Sequence, residues 1–445
     1  MPFSRSLSHG STTRSKLTFA ALLVAGSSMA AACGEDPADD AVGGGGSGSG
    51  ATDSSGGTNG TGGSTGEGAT DQGGSGDGGG VSPVGGGGSG GGTQCTPEDT
   101  FDGEPVTGEA GEWVWVDVPD ALCRDGSPAG FGVRLNPASD KLFIYFEGGG
   151  ACFNGTSCNF NASSFGSSNF SNWRGGGGHS GLFDSENPDN PVRDWNAIFI
   201  PYCTGDVHAG NAPDSDVPGF GSPQGQAFVG YRNVGLFLDR IIPTFPTISK
   251  VLVTGSSAGG FGATYNYDRI AQAFCPKPAV LIDDSGPAMS DEYLTPCLQT
   301  RWRELWGLNS TLPADCPECA GADGGGIVNY VTYLGNKYPD THLGLLSSDQ
   351  DNTIRLFFGY GENNCANIDG AIPVSMSGQK FAEGLDDVRD NYLTGLPAWS
   401  SYFVESTTHT YLAGSGYADT TVDRVPLTDW ITAIIDGGEP GHVGP

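Results

Sequence analysis

One stretch of the chain, VLVTGSSAGGFGATYNY at residues 251–267, restricts the fold more than any other. β-prone residues run into Gly255, and a helix-like pattern follows Gly259. A strand that turns sharply into a helix holds its central residue in a strained backbone conformation, so larger neighbouring side chains would clash. The small residues around Ser257 match the pattern G-x-S-x-G, and we predict a nucleophile elbow with this serine at its centre.

Short apolar runs rich in β-formers alternate with helix-like stretches along the chain. The predicted strands are contained in 141–150, 195–203, 250–256 and 278–286, and the predicted helices in 234–245 and 260–274. Near-continuous apolar strands separated by helices are typical of a mostly parallel sheet covered on both faces. We therefore predict an α/β fold whose reactive groups lie at the carboxyl ends of the strands.

The 445 residues divide into three regions of different composition. Residues 1–33 have basic residues, a short apolar run and three alanines before Cys33, which predicts a bacterial lipoprotein-type signal peptide, with ordinary secretion as the alternative. Residues 34–94 are almost entirely Gly, Ser, Thr and Asp and predict a disordered acidic tether with a reach of roughly 40–45 Å. Residues 95–445 are long enough for one large catalytic domain. We expect an exported protein, anchored through a lipid at Cys33 at the cell surface or in the periplasm, or else secreted.

The charge of the chain restricts which partners it can bind, and its cysteine content indicates the cellular compartment. A net charge of −31 should repel nucleic acid and anionic surfaces, so we exclude nucleic-acid binding and expect membrane contact only through the anchor. Of the 11 cysteines, the ten after Cys33 predict up to five disulfides in an oxidising compartment, with pairing left open. The CPEC run at 316–319 has no second CxxC or nearby histidine, so we expect a disulfide there and no metal site.

A nucleophilic serine needs a base, an acid that orients the base, and donors for an oxyanion. In this fold the chain order is serine, acid, histidine. The histidines that follow Ser257 are His342, His409 and His442. We select His409 as the base because it lies just beyond a strand-like run.

The acid should follow a strand between the serine and the histidine. The run at 343–358 provides two candidates, of which we prefer Asp351 and keep Asp349 as the alternative. Asp284 follows a strand that comes one too early in the order, so a structural role is expected for it.

Three glycines end the strand in FEGGGACF at 146–153. Glycine lets backbone N–H groups approach a substrate oxygen closely. We predict that the N–H groups of Gly149 or Gly150 and of Ala258 form the oxyanion hole.

These segments resemble the pectin acetylesterase and Notum family of serine carboxylesterases over about residues 112–435. The resemblance is carried, in order, by YFEGGGACFN, WNAIFIPYCTGDVHAG, VTGSSAGGFGA, LIDDSG, SSDQDNT and THT. It implies an α/β-hydrolase fold and a cofactor-free triad, and it points to the residues chosen above: Ser257, Asp351 and His409, with Gly149, Gly150 and Ala258 as oxyanion donors.

The chain departs from the family where a bulky aromatic residue usually follows the oxyanion glycines. Gly150 and Ala151 stand there instead, so the shape of the substrate site is left open. His208, in PYCTGDVHAG, is expected in a loop facing the pocket, with a structural or substrate-contacting role.

The resemblance leads us to expect an esterase that removes O-acetyl groups, with an acetylated extracellular glycan as its substrate and partner. The negative charge favours a neutral or well-esterified glycan over polyanionic pectin. A first alternative is a Notum-like deacylase of longer chains, which needs a deep apolar pocket. A second is a binding module with a decayed site, but the joint retention of serine, histidine, acid and glycine loop speaks against it.

Overall fold

A computed structural model describes residues 100–371 and 373–445. The expected signal peptide (1–33) and tether (34–94) lie outside the described residues. The strands of the described part are β1 (Trp113–Leu122), β2 (Pro128–Arg134), β3 (Lys141–Phe146), β4 (Asn196–Ile200), β5 (Ala212–Ser215), β6 (Gln226–Phe228), β7 (Lys250–Ser256), β8 (Ala279–Asp284), β9 (Leu343–Ser348), β10 (Trp399–Val404), β11 (Thr421–Val422), β12 (Val425–Pro426) and β13 (His442–Val443).

One sheet in the order β1-β2-β4-β3-β7-β8-β9-β10-β13 forms the centre of the fold. The pairs β1–β2 and β2–β4 are antiparallel, and from β4 to β13 every neighbouring pair is parallel. Every residue of β4, β8 and β9 is buried. Burial on both faces explains why these strands are continuous apolar runs without alternation. The remaining strands form two short antiparallel ribbons, β5–β6 and β11–β12.

Helices cover this sheet. Their bounds are α1 (Gly155–Asn159), α2 (Ser167–Arg174), α3 (Gly230–Thr244), α4 (Ala258–Phe274), α5 (Pro296–Trp306), α6 (Asn329–Lys337), α7 (Asn352–Phe358), α8 (Glu362–Cys365), α9 (Gly378–Val388) and α10 (Leu427–Asp436). The four predicted strands and both predicted helices are confirmed, and α3 and α4 begin earlier than predicted. No helix of the described ranges combines the length and apolar character needed to cross a bilayer.

Four disulfides link the described part of the chain: Cys123–Cys203, Cys152–Cys158, Cys297–Cys365 and Cys316–Cys319. The last is the CPEC run, so the expected disulfide is confirmed there. Cys152–Cys158 closes a short loop directly after the glycines of the predicted oxyanion hole. Several disulfides in one domain are typical of proteins in oxidising compartments.

The sheet order brings the predicted reactive residues to one edge. β3, β7, β8, β9 and β10 are consecutive neighbours, and each is followed at its carboxyl end by one of the selected segments. The glycine loop follows β3, Ser257 follows β7, Asp351 follows β9 and His409 follows β10. The carboxyl edge is where open α/β sheets place their sites.

Candidate active site

Ser257 occupies the single residue between β7 and α4, in a conformation that side chains rarely adopt. Its backbone angles are φ 61° and ψ −126°, outside the regions that are comfortable for a residue with a Cβ. Three hydrogen bonds hold it there. The Ser257 N–H donates to the Asp284 carbonyl at 2.7 Å, and the Ser257 carbonyl accepts from the N–H groups of Gly260 at 2.8 Å and Phe261 at 3.2 Å. The predicted elbow is therefore present in the backbone.

The glycines around the serine are required by close backbone contacts. A Cβ on Gly255 would lie 2.2 Å from the carbonyl oxygen of Gly259, and a Cβ on Gly259 would lie 2.0 Å from the carbonyl oxygen of Phe146. Any larger residue would push the first turn of α4 away from the ends of β3 and β7. The G-x-S-x-G pattern is thus a steric requirement of this turn.

Asp351 and His409 are joined by a hydrogen bond of 2.8 Å between Oδ2 and Nδ1. Asp351 is fully buried and caps α7, because its Oδ1 accepts from the N–H groups of Thr353 at 2.8 Å and Ile354 at 2.9 Å. Amide donors at a helix N-terminus stabilise the ionised carboxylate. The His409 side chain is 22% exposed, so its ring borders solvent while its acid partner does not.

The alternative acid, Asp349, has a different partner. Its Oδ1 accepts from the Ser406 N–H at 3.0 Å, which links the loops after β9 and β10. Of the two candidate acids, the structure brings Asp351 to His409.

The glycine loop after β3 lies directly against the serine. A Cβ on Gly148 would be 2.8 Å from the Cβ of Ser257, and Gly149 and Gly150 have φ angles of 152° and 80°. Within residues 100–371 and 373–445, the N–H groups of Gly149, Gly150 and Ala258 donate no hydrogen bond to protein. These three N–H groups are therefore available to a ligand oxygen beside the serine.

His208 supports this loop from behind and does not line the pocket. Its Nε2 donates to the Glu147 carbonyl at 2.9 Å, and the residue is buried. Burial lowers the pKa of His208 to about 4, so the ring is neutral at pH 7. Of the two roles expected for His208, the contacts favour the structural one, although the loop that carries it does face the pocket. Its neighbour Val207 lines the cavity instead.

Glu147 opens the glycine loop, and its carboxylate is tied to the loop after β4. The Oε2 atom accepts from the Tyr202 N–H at 2.9 Å. Burial raises the pKa of Glu147 to about 7. The residue carries an unusually basic carboxyl next to the glycines.

Asp284 is a fully buried acid whose contacts reach the segment that carries His409. Its Oδ2 accepts from the Ser256 hydroxyl at 2.7 Å and from the N–H groups of Tyr411 and Leu412, both at 2.9 Å. Burial raises its pKa. One carboxylate therefore fixes both the strand before the serine and the two residues shortly after the histidine. Sequence reasoning assigned Asp284 a structural role but had no means of identifying these partners.

An apolar cavity of about 410 Å³, including its open mouth, adjoins Ser257. Its wall includes Ala151, Val207, Phe261, Trp302, Ile354 and Phe357. A Cβ on Gly150 would lie 3.1 Å from Cζ of Phe357. The Phe357 ring, from α7, therefore occupies space beside the position where the family usually has a bulky aromatic residue. No cluster of three or more His, Cys, Asp or Glu side chains suited to a metal ion occurs in the described ranges.

Comparison with known proteins agrees with this geometry. Residues 114–318 match the family model described as pectinacetylesterase. This part of the chain is therefore similar to pectinacetylesterases. Mouse palmitoleoyl-protein carboxylesterase NOTUM is 34% identical over 157 residues, which cover 34% of this chain and 29% of that protein. The Drosophila melanogaster protein of the same description is 29% identical over 214 residues, covering 44% of this chain and 31% of its own length. The matched segment thus spans less than a third of these curated relatives.

The solved structure of the Wnt deacylase Notum from Drosophila has the same fold as this chain. Its TM-score is 0.50 at 21% sequence identity, and the match covers 73% of this chain and 94% of that chain. The fold is therefore the α/β-hydrolase fold, as predicted.

Proposed function

We propose that this protein is a serine carboxylesterase. The observation that carries the proposal is the strained Ser257 on its elbow, at the same sheet edge as the bonded Asp351–His409 pair and three unpaired backbone donors. A nucleophile, a base oriented by an acid, and preorganised donors are the parts that acyl transfer needs.

In the proposed mechanism, the Ser257 hydroxyl attacks the ester carbonyl while His409 Nε2 takes its proton. The Asp351 carboxylate holds Nδ1–H and so fixes the tautomer that leaves Nε2 free to accept. The N–H groups of Gly149, Gly150 and Ala258 stabilise the oxyanion. The protonated His409 then returns the proton to the leaving alcohol, and water, deprotonated by the same histidine, cleaves the acyl-enzyme and restores the serine.

The cavity beside Ser257 favours an apolar acyl group. Its wall consists mostly of aliphatic and aromatic side chains, Phe261 and Trp302 among them. Burial of methylene groups stabilises a bound chain by about 0.8 kcal/mol per CH₂. We therefore propose short to medium-length apolar acyl esters as the preferred substrates.

Removal of O-acetyl groups from an extracellular polysaccharide is the second candidate. It is supported by the match to the pectinacetylesterase family model. The acetyl group would leave most of the apolar cavity unfilled, and the chain's net charge of −31 favours a neutral glycan. A binding module without catalysis would have no use for the strained serine and the paired histidine.

The test is hydrolysis of p-nitrophenyl acetate, butyrate, octanoate and dodecanoate by the purified protein and by Ser257→Ala. Serine-dependent turnover with a maximum above acetate would support the proposed acyl preference. A maximum at acetate would favour the glycan deacetylase, which release of acetate from acetylated neutral glycans then tests. Equal inactivity of both folded proteins on every ester would favour the binding module.

We further propose that the protein is exported and anchored by a lipid at Cys33. The disulfides of the folded domain support an oxidising compartment. Cys33→Ala in the full precursor should move the protein from the membrane fraction to the soluble fraction. Unchanged membrane association of this variant would contradict the anchor.

A further inference from the structure

A second apolar cavity lies behind the one at the serine. It measures about 510 Å³, including its open mouth, and shares three wall residues with the first: Val207, Phe261 and Trp302. We call it the inner chamber. Because the same three side chains line both spaces, the two cavities adjoin at these residues, which we call the partition.

Helix α4 runs from the serine along both cavities. Phe261 follows Ser257 by four residues and Tyr265 follows by eight, so the three side chains lie on one face of the helix. Ser257 and Phe261 line the first cavity, whereas Phe261 and Tyr265 line the inner chamber. Each four-residue step advances about 6 Å along the helix. On this face of α4, Phe261 thus lies between the serine and the inner chamber.

Aromatic packing holds the walls of the inner chamber in place. The Tyr265 ring stacks on Tyr330 at 5.4 Å between centroids, and Trp302 stacks on Trp306 at 5.5 Å. The Tyr265 hydroxyl bonds to the Thr311 hydroxyl at 3.0 Å. These contacts restrict the movement of the aromatic side chains that line the chamber.

Two hydroxyl groups on the chamber wall have partners within the protein, whereas the buried Nε1 of Trp302 has none. The Thr264 hydroxyl donates to Asp283 at 2.7 Å, and the Tyr330 hydroxyl donates to the Tyr265 carbonyl at 2.9 Å. The chamber consequently presents an apolar surface, which suits a hydrocarbon chain and not a sugar.

We propose that Phe261 sets the acyl-chain length of this enzyme by closing the inner chamber to the end of an unbranched acyl chain bound at Ser257. The inference rests on the proposed esterase function. With Phe261 in place, the chain bound at Ser257 ends at the partition. Removal of the ring joins the two spaces and lets a longer chain enter the chamber.

The first experiment compares Phe261→Ala and Phe261→Val with the unmodified protein on the p-nitrophenyl ester series. The ratio of kcat/KM for dodecanoate to that for butyrate should rise at least about 10-fold, since each methylene placed in an apolar pocket is worth about that much discrimination. Phe274→Ala is the matched control, because Phe274 is a buried phenylalanine at the other end of α4 that lines neither cavity. Folded Phe261 variants with the original ratio would overturn the proposal.

A second variant tests whether the gained space is the inner chamber. Ala288 lines the chamber but not the first cavity. Adding Ala288→Leu to Phe261→Ala should reduce the dodecanoate ratio again by refilling the space, while Ala288→Leu alone should leave the ratio unchanged. If the dodecanoate-to-butyrate ratio of kcat/KM stays high in the double variant, the longer acyl chain does not bind in the inner chamber.

A binding measurement separates this proposal from the esterase proposal. Dodecanoate binding to Ser257→Ala, with and without Phe261→Ala, needs no catalysis and can be followed by calorimetry. Tighter binding by about 10-fold without the ring supports the partition, even for a protein that cleaves no ester. Serine-dependent esterase activity with equal dodecanoate binding would contradict the partition alone.

Discussion

At the scale of single residues, Asp351 caps α7 and is the acid of the proposed triad. Asp351→Asn keeps the shape of the side chain but removes the charge that fixes the His409 tautomer. We expect kcat on butyrate to fall roughly 10³–10⁴-fold. The matched control is Asp349→Asn, which bonds to Ser406 and not to the histidine, and which should stay within a few-fold of the original rate. Equal losses in the two variants would contradict the assignment of the acid.

Asp284 is expected to position His409 without touching the substrate. Asp284→Ala leaves the N–H groups of Tyr411 and Leu412 without an acceptor, so the histidine segment should shift. A displacement of about 1 Å can cost roughly 100-fold in rate. We expect a fall in kcat of that order with KM nearly unchanged.

Two further variants distinguish this positioning from general destabilisation. Asp284→Asn retains an acceptor oxygen and should restore most of the kcat. Asp283→Ala removes a neighbouring buried carboxyl that bonds to Thr264 and Gly286 instead. It should lower the unfolding temperature with a smaller effect on kcat. The positioning role is wrong if Asp283→Ala and Asp284→Ala lose the same kcat.

At the scale of elements, the glycine loop after β3 is held by His208, which comes from the loop after β4. His208→Phe fills similar space but leaves the Glu147 carbonyl without the donor that holds it. The N–H groups of the loop should lose their alignment, and kcat should fall about 10- to 100-fold because oxyanion donors act through geometry. His208→Gln keeps a donor and should lose less. Kinetics on butyrate check this, and a normal kcat for the folded phenylalanine variant would show that the loop holds itself.

The strands, the elbow and the site edge could be predicted because local rules determine them. Apolar runs such as β7 and β8 need burial on both faces, and the residues around Ser257 must be small for the turn to close. From the sequence alone, the choice of Asp351 over Asp349 was only a preference. Both acids follow β9 within three residues, and the loop geometry alone decides which one reaches His409.

Other features depend on contacts between distant segments and had no local pattern. The Asp284 carboxylate meets N–H groups 127 and 128 residues away along the chain. The partition by Phe261 depends on Trp302 from α5 and Val207 from a loop after β4. The disulfide pairs likewise follow from packing, so the sequence spacing of the cysteines did not specify them.

At the scale of the whole molecule, buried titratable groups should make stability depend on pH. The folded-state pKa of Glu147, about 7, lies above its ordinary value of 4.5. Its favourable contribution is fully present below pH 4.5 and is lost as pH rises through 7, at a cost of about 3 kcal/mol. His208 acts in the opposite direction: its contribution is present above pH 6.5 and is lost as pH falls through 4.

Glu147→Gln tests the carboxyl contribution because glutamine keeps an acceptor for Tyr202 but does not titrate. Urea unfolding of both proteins between pH 5 and 8 gives the free energies of unfolding. We expect the variant to gain about 3 kcal/mol relative to the unmodified protein across this range. A difference that is constant with pH would mean that Glu147 titrates normally in the folded state.

The proposed mechanism requires Ser257 to be an activated nucleophile. The most direct test is to treat the protein with a fluorophosphonate, which reacts with activated serines, and to measure its intact mass. We expect one adduct per molecule, located on the peptide that contains Ser257, with no adduct on Ser257→Ala and slow labelling of His409→Ala. A folded protein that acquires no adduct, or an adduct that persists in Ser257→Ala, would contradict the proposed mechanism.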